Sequence, residues 1–225
     1  MTAHVFHGRR SGRRLNVERK AALADLLPQA GIVLPEDGPL DPASLFTHGP
    51  QDIRLEIGFG NGEHLLAQAL AHQSSGFIGC EPYINGVSAL LKDMKANPPG
   101  NIRIFGDDTR PLLDALVPSS ISQVFILFSD PWPKTRHARR RVLGPENLDR
   151  LARVMKNGAE LLLATDVPDL FVWMFEHGFR HPDFEWIPAT TAEMHTHPED
   201  GPITRYEAKA LARGARPVYF RFRRR

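Results

Sequence analysis

Cysteine is nearly absent from this chain, which has Cys80 as its one thiol in 225 residues. A lone cysteine excludes an intrachain disulfide and a multi-cysteine metal site, and it favours a reducing compartment, so we expect the cytoplasm. Unbroken apolar runs are short, and that of 124–128 is far below the roughly 20 residues of a membrane-spanning helix. The first residues lack the apolar stretch of a secretory signal. We therefore expect neither a membrane protein nor an exported one.

Excess charge is also scarce, because 28 Lys+Arg face 26 Asp+Glu. The basic residues are concentrated, however, in three segments at 9–20, 134–141 and 221–225, which hold fifteen of them beside the single acid Glu18. The rest of the chain is therefore net acidic. Basic patches on an acidic body indicate a polyanionic partner such as nucleic acid. For the two terminal segments, a merely solvated tail remains the alternative.

The distribution of charge, apolar residues, Pro and Gly divides the chain into three parts. Residues 1–16 are expected to form a flexible basic arm. Residues 17–50 are expected to contain a helix over 17–30, with Asn16 as its N-cap, followed by an irregular linker. Residues 51–225 are expected to form the main domain.

The main domain alternates short apolar runs with helix-like segments. The runs lie at 53–58, 76–81, 101–106, 122–128 and 159–165, and the helical segments at 62–73, 84–96, 109–117, 145–156 and 168–178. This alternation predicts an α/β fold with a mostly parallel sheet and helices on both faces. The alternating segment 217–222 predicts an antiparallel C-terminal strand at the sheet edge.

Acids follow these predicted strands almost without exception. Four acidic positions lie at the end of a run or within two residues after it, and a fifth acid lies near the end of the first: Glu56, Glu81, Asp107 with Asp108, Asp130 and Asp166. Ligands of open α/β sheets bind beyond the carboxyl ends of the strands. A row of carboxylates there suits a ligand with several donors or a positive charge. For Asp166, a simple helix N-cap is the alternative.

A glycine loop follows the first strand and contains Gly58, Gly60 and Gly62. The nicotinamide fingerprint would place its third glycine at position 63, where this chain has Glu63. A glutamate there would also repel a pyrophosphate from the helix N-terminus, so the spacing disfavours a dinucleotide. An acid two residues before G-x-G-x-G instead resembles the first motif of Rossmann-like S-adenosylmethionine-dependent methyltransferases. Glu81, at the next strand end, has the position of a ribose-binding acid.

The segment 129–137, S-D-P-W-P-K-T-R-H, and its arginine-rich continuation resemble the bacterial tRNA (guanine-N7)-methyltransferases. The resemblance extends over nearly the whole chain. It includes the basic arm, the segments 55–66, 77–87, 106–108 and 161–166, and T-R-Y-E at 204–207. It implies a Rossmann-like class I methyltransferase fold, S-adenosylmethionine as cofactor, tRNA as partner, and methylation of guanine N7 in the variable loop, at position 46.

The resemblance also implies roles for individual residues. The implied cofactor-binding residues are Glu56, Gly58, Gly60, Glu81, Asp108 and Asp130, with Asp108 preferred to Asp107 by alignment on Thr109. The implied substrate-binding residues are Lys134, Asp166, Thr204, Arg205, Tyr206 and Glu207. The implied RNA contacts are Arg136, His137, Arg139, Arg140 and Arg141. No metal is implied.

The chemistry of guanine N7 agrees with this assignment. Its in-plane lone pair can attack a sulfonium methyl group without losing a proton, so the reaction needs no strong general base. Asp130 is therefore expected to act as a catalytic orienter and an electrostatic partner for the moving positive charge. Trp132 is expected either to stack on a base or to lie in the core.

Two other readings of the whole chain remain. One is an RNA-binding module on a methyltransferase scaffold that has lost catalysis, and the other is a small-molecule methyltransferase. Cys80 is expected to be a core residue, and His195 and His197 are expected to lie in a solvated or substrate-facing loop. The sequence leaves open which tRNAs are substrates and whether the protein is a monomer or a homodimer.

Overall fold

The computed structural model describes residues 8–95, 98–199 and 201–225. Its helices are α1 Val17–Ala30, α2 Glu63–Ala71, α3 Ile84–Met94, α4 Thr109–Ala115, α5 Pro145–Val154, α6 Pro168–Arg180, α7 Thr191–Met194 and α8 Arg205–Ala212. Its strands are β1 Asp52–Ile57, β2 Ser75–Cys80, β3 Ile102–Phe105, β4 Ile121–Leu127, β5 Met155–Thr165, β6 Phe184–Ile187 and β7 Val218–Arg224. Short 3₁₀ helices occupy Pro42–Leu45 and Thr135–Arg140.

The strands form one seven-stranded sheet in the order β3-β2-β1-β4-β5-β7-β6. Strand β1 pairs in parallel with β2 on one side and with β4 on the other. The chain therefore builds outward in two directions from β1, and a crevice opens where the carboxyl ends of β1 and β4 diverge. This switch point is where the fold places a ligand.

Two apolar cores cover the two faces of the sheet, as the continuous apolar strands require. One core joins Leu55 of β1 to the side chains of α4, α5 and α6. The other joins Phe77 of β2 to α1, α2 and α3. The predicted α/β class, with helices on both faces of a mostly parallel sheet, is confirmed.

The C-terminal strand departs from the prediction in its position. Strand β7 is antiparallel, as predicted, but it lies between β5 and β6, so β6 is the edge strand. Strand β6 has only four residues, of which Phe184 alone is fully buried, and so short a segment has no readable period. The sequence analysis also predicted neither α7 nor α8, because the segments that form these helices are too short for a clear apolar period.

The N-terminal helix and linker pack against the main sheet. The Asn16 side chain accepts a hydrogen bond from the backbone N–H of Arg19 at 2.9 Å and caps α1. The linker contributes the buried Phe46, over whose ring the Arg103 guanidinium lies at 5.0 Å. Within residues 8–95, 98–199 and 201–225, no helix is long and apolar enough to cross a membrane.

Cys80 ends β2 and is buried at 1% exposure, as expected of a core residue. Burial raises the pKa of its thiol from 9.0 to about 12, and the Thr109 hydroxyl lies 3.6 Å from its sulfur. The thiolate that reacts with electrophiles is therefore nearly absent at neutral pH.

We predict that a thiol reagent such as dithionitrobenzoate labels Cys80 only when the protein unfolds. Because Cys80 is the one thiol, the labelling rate in mild denaturant should follow the loss of circular dichroism. Rapid labelling of the native protein at neutral pH would contradict the buried position. A denatured sample, which should react fully, provides the control.

Candidate active site

The glycine loop after β1 has the backbone conformation that its glycines allow. Gly58, Gly60 and Gly62 have φ values of 77°, 60° and 84°, in the left-handed region that favours glycine. No heavy atom lies within 4 Å of the position where a side chain on Gly58 would start. The loop thus leaves an open cradle beside its backbone at the switch point.

The loop also contacts the start of α3 at very short range. A Cβ atom on Gly86 would lie 2.2 Å from the carbonyl oxygen of Gly60, so only glycine fits there. The backbone N–H of Gly58 donates to the carbonyl oxygen of Cys80 at 2.8 Å. These contacts fix the loop relative to β2 and α3.

Glu81 joins the same elements through its side chain. One carboxylate oxygen accepts the N–H of Gly60 at 2.8 Å, and the other accepts the N–H of Tyr83 at 2.9 Å. Burial raises the pKa of Glu81, although these two bonds oppose the shift, and the charges of Asp130 and Glu56 raise it further. Three of the predicted cofactor acids therefore lie within electrostatic range of each other.

Glu56 has a partner that the sequence analysis did not identify. Its carboxylate is 4% exposed, and Oε2 lies 2.7 Å from Nδ1 of His64 on α2. The His64 ring meets Phe125 of β4 edge to face, with centroids 4.8 Å apart. Glu56 is thus held at the base of the switch point by a neighbouring helix.

The two acids after β3 have different partners. Asp108 caps α4 through the N–H of Arg110, and its carboxylate also binds the Arg110 guanidinium, at 2.9 and 2.6 Å. Asp107 is more exposed and forms an ion pair with Arg10 at 2.7 Å. Both acids lie at the carboxyl end of β3, which β2 separates from β1 and the switch point, and the preference for Asp108 stays a prediction.

The described part of the basic arm lies against the start of α3. The Asn85 side chain accepts the N–H of Gly12 at 2.8 Å and donates to the carbonyl oxygen of Arg13 at 2.7 Å. The N–H of Ile84 donates to the carbonyl oxygen of Arg10 at 3.0 Å. The sequence analysis expected a flexible arm over 1–16; residues 1–7 lie outside the described residues.

We call residues 128–133 the Asp130 loop. Phe128 and Trp132 have φ values of 53° and 42°, so both ends of the segment 129–131 carry left-handed backbone. Non-glycine residues in that region cost about 1–3 kcal/mol each and collect at functional sites. Asp130 itself is exposed at the carboxyl end of β4.

The basic run after the Asp130 loop has two kinds of members. Lys134, Arg136 and Arg139 are exposed. The Arg140 guanidinium lies over the Trp132 ring at 5.1 Å, and that of Arg141 lies over Trp173 at 4.9 Å. The run therefore does not present all of its arginines to solvent.

His137 lies in the same basic run, and its pKa responds to the positive charges around it. Its ring meets Trp132 edge to face at 5.9 Å. Desolvation lowers the pKa of His137, and the neighbouring cations Arg140, Arg136, Lys134 and Arg139 lower it further. The imidazole is therefore mostly neutral at pH 7, in a surrounding field of positive charge. The Trp132 ring contacts the side chains of His137 and Arg140. It therefore matches neither expected role completely, neither stacking on a base nor lying in the core.

The T-R-Y-E segment forms the first turn of α8 and divides between the interior and the surface. Thr204 caps the helix by accepting the N–H of Glu207 at 3.2 Å. Glu207 is 3% exposed, lies 2.8 Å from Nδ1 of His197, and accepts a hydrogen bond from the Tyr219 hydroxyl. Arg205 and Tyr206 are exposed.

Tyr206 projects toward the glycine loop. Its ring would lie 3.1 Å from a Cβ atom on Gly60. Burial raises the pKa of Tyr206, and the charges of Glu81 and Asp130 raise it further. Helix α8 therefore contributes one aromatic ring directly to the switch point.

Asp166 does not cap α6, because Val167 occupies the cap position and the Thr165 hydroxyl accepts its N–H at 3.1 Å. Its carboxylate instead accepts a hydrogen bond from the Arg213 guanidinium at 3.1 Å. The helix-cap alternative is wrong, and Asp166 remains available at the carboxyl end of β5. Among the described residues, no group of three His, Cys, Asp or Glu side chains could hold a metal ion.

The residues present fit S-adenosylmethionine. The open cradle at Gly58 admits close backbone approach, and the Glu81 carboxylate retains acceptor capacity beyond its two backbone bonds for ribose hydroxyls. The carboxylates of Glu56 and Asp130 add negative potential that suits a sulfonium and an ammonium group.

The sequence reasoning missed two residues that shape this site, His64 and Tyr219, and it missed the contacts of His197 with Glu207 and of Arg10 with Asp107. His64 carried a signal, since it is the second residue of the helix that follows the glycine loop. His197 and Tyr219 carried none, because their contact with Glu207 joins segments 10 and 12 residues apart through a loop and a sheet edge.

Similar proteins agree with this arrangement. A sequence model of the family described as "Putative methyltransferase" matches residues 50–219. The solved structures that resemble the chain include the 16S rRNA methyltransferase KamB, with a TM-score of 0.51 at 18% identity over 78% of this chain and 89% of that one. An antibiotic-related methyltransferase has a TM-score of 0.50 at 19% identity over 77% and 87% of the two chains. These structures establish the fold alone.

Curated relatives are closer in sequence. The tRNA (guanine-N7)-methyltransferase of Paramagnetospirillum magneticum is 46% identical over 98% of this chain and 92% of that protein. Those of Azorhizobium caulinodans and Mesorhizobium japonicum are 44% and 42% identical over 98% of this chain and 95% of each protein. The chain therefore belongs to the tRNA (guanine-N7)-methyltransferase family.

Proposed function

We propose that this protein transfers the methyl group of S-adenosyl-L-methionine to N7 of a guanine in the variable loop of cytoplasmic tRNA, at position 46. The observation that carries the proposal is the meeting of two features at one switch point. The glycine loop and Glu81 offer a nucleoside site, and the Asp130 loop leads directly into a basic run with exposed Lys134, Arg136 and Arg139.

The charge distribution supports a nucleic-acid substrate over a small molecule. The exposed cations follow the Asp130 loop, so a phosphate backbone bound to them passes the mouth of the site. Each phosphate contact releases counterions and adds affinity without sequence preference. A small-molecule methyltransferase leaves this run without a function, and the intact glycine loop and strand-end acids disfavour an inactive scaffold.

The residues of the chain supply positioning and electrostatic stabilisation. When bound, S-adenosylmethionine supplies an electrophilic methyl group on a positively charged sulfur. The guanine N7 lone pair forms the new N–C bond as the S–C bond breaks, and no proton leaves. The positive charge moves to the purine, and the Asp130 carboxylate at the end of β4 stabilises it along that path. Lys134, four residues later, binds a phosphate or the guanine O6.

The T-R-Y-E segment and Asp166 complete the substrate side of the site. Tyr206 faces the glycine loop and is placed to contact the base, and Arg205 is exposed beside it. Thr204 and Glu207 hold the first turn of α8 and so position these two side chains. Asp166 closes the site from β5. Most of the rate then comes from aligning nitrogen, methyl carbon and sulfur in line.

The proposed function predicts the position of the methyl group. Incubation with S-adenosylmethionine labelled in its methyl group should place label in a tRNA transcript whose variable loop carries the guanine. A matched transcript with adenine at that position should remain unlabelled, and digestion of the labelled product to nucleosides should release the label as N7-methylguanosine. Equal labelling of both transcripts would move the target elsewhere, and no label in tRNA would contradict the proposal.

Glu81 gives a prediction about pH. Its pKa is raised above the ordinary 4.5 by burial, and ribose hydroxyls donate stronger hydrogen bonds to the ionised carboxylate than to the protonated carboxyl group. Cofactor affinity should therefore be full above this raised pKa and fall as the pH decreases through it, sooner than for an exposed glutamate. Calorimetric titration from neutral to mildly acidic pH measures the effect.

The matched variants are Glu81→Gln and Glu146→Gln, the latter on the exposed surface of α5. Glu81→Gln should weaken cofactor binding about tenfold or more at neutral pH, because each hydrogen bond to a charged group contributes ~1.5–3 kcal/mol. It should also flatten the pH profile. Glu146→Gln should change neither. Unchanged affinity in a folded Glu81→Gln protein would remove Glu81 from the cofactor site.

Asp130 gives a prediction about the chemical step. Asp130→Asn keeps the size of the side chain and removes its charge, so the single-turnover rate should fall on the order of 10²-fold with little change in tRNA affinity. Rapid-quench measurement with saturating tRNA and cofactor separates the two quantities. A near-normal rate would show that Asp130 only shapes the loop.

A further inference from the structure

The Asp130 loop needs external support, because its backbone is unfavourable at both ends. Phe128 and Trp132 both carry positive φ, and neither is glycine. At the first end, the N–H of Phe128 donates to the carbonyl oxygen of Ala164 at 2.8 Å, which ties it to β5. At the second end there is no strand to pair with, so side chains must hold the loop.

Arg141 makes the contact that closes this second end. Its Nε donates to the carbonyl oxygen of Pro131 at 2.9 Å, one residue after Asp130. Its guanidinium plane also lies over the Trp173 ring at 4.9 Å. One side chain thereby connects the backbone beside Asp130 to helix α6.

The backbone that follows Arg141 is itself held in place. The next two residues are held by side chains: Trp173 Nε1 donates to the carbonyl oxygen of Leu143 at 2.6 Å, and the Asn147 amide donates to that of Val142 at 2.6 Å. Trp173 is in turn stacked on His177, with ring centroids 4.0 Å apart. This chain of contacts, which we call the brace, therefore runs from the Pro131 carbonyl through Arg141 to Trp173 in the middle of α6.

The neighbouring Arg139 has the opposite environment. It is exposed, whereas Arg141 is partly buried. The two arginines are two residues apart, carry the same charge and have different surroundings. The sequence assigns both arginines to RNA binding, whereas the contacts with Pro131 and Trp173 give Arg141 a different role from Arg139.

We propose that Arg141 is a positioning residue for methyl transfer, which holds the Asp130 loop in its reactive geometry, and that Arg139 supplies the phosphate contact. The proposal rests on the proposed function, because it assigns a part in the same reaction. Arg141 acts through the Pro131 carbonyl and does not touch the reacting atoms.

The test compares Arg141→Gln with the matched control Arg139→Gln, which removes the same charge two residues away. Single-turnover rates are measured with saturating tRNA and cofactor, and tRNA affinity is measured by filter binding at several salt concentrations. We expect Arg141→Gln to lower the rate at least tenfold with an unchanged salt slope. Arg139→Gln should make the log–log salt slope shallower by about 0.7–0.9 and should lower the rate less than Arg141→Gln does.

Two further variants separate the brace from a charge effect. Arg141→Lys keeps the charge but not the planar stack, so the rate should stay low, whereas a phosphate contact would be rescued by lysine. Trp173→Leu removes the stacking ring without changing any charge and should lower the rate in the same way. Melting temperature and cofactor affinity are recorded for every variant. Both should stay near the wild-type values in the arginine variants, whereas Trp173→Leu also loses the hydrogen bond to Leu143 and is assayed well below its own melting temperature.

The outcomes are decisive in both directions. A shallower salt slope with a normal rate in Arg141→Gln, or full rescue by lysine, would overturn the brace and make Arg141 an RNA contact. A normal rate in Trp173→Leu would also overturn it. If Arg141→Gln does not fold, Arg141→Lys and Trp173→Leu decide alone. If the wild-type protein does not methylate tRNA, the proposed function fails, which is distinct from failure of the brace.

Discussion

The site depends on one buried carboxylate, that of Glu81, which accepts the N–H groups of Gly60 and Tyr83. These two bonds fasten the glycine loop of β1 to the start of α3 across the carboxyl end of β2. They compensate a charge that burial would otherwise disfavour, and they leave further acceptor capacity on both oxygens. Because the clamp is made by groups of the protein itself, it restrains the backbone of the glycine loop, which lowers the conformational cost of binding there.

Most of this arrangement was predictable from the chain. Continuous apolar strands alternating with helices determine a parallel sheet, and parallel strands bring their final residues to one edge, so the acids after each run had to gather. Local geometry that depends on tertiary contacts was not predictable. Arg139 and Arg140 end a 3₁₀ helix, whose three residues per turn separate successive side chains by about 120°, and Arg141 follows it as the C-cap. Three adjacent arginines therefore point to three different environments.

The C-terminal arginines show the same limit of charge counting. Residues 221–225 resemble a basic tail, and the structure instead places most of them in β7. Arg223 lies opposite Glu160 on one side and Glu185 on the other, and forms ion pairs with them at 3.8 and 3.4 Å. Arg224 donates to the carbonyl oxygen of Ala152 at 2.7 Å. The solvated-tail alternative is wrong for Arg221, Arg223 and Arg224, because they lie in a paired strand, whereas a contact of these arginines with a polyanion stays a prediction.

The balance between positioning and chemistry follows from the reaction. Guanine N7 attack removes no proton, so the site gains little from a strong base and much from alignment. The contacts agree with this: the Glu207 carboxylate binds His197 and Tyr219, and the Asp130 loop is held in an unfavourable backbone conformation. A flexible loop would relieve that strain and would also let the carboxylate leave the path of the moving charge. In the proposed mechanism, the maintained strain at Phe128 and Trp132 therefore marks the segment that holds the Asp130 carboxylate in place.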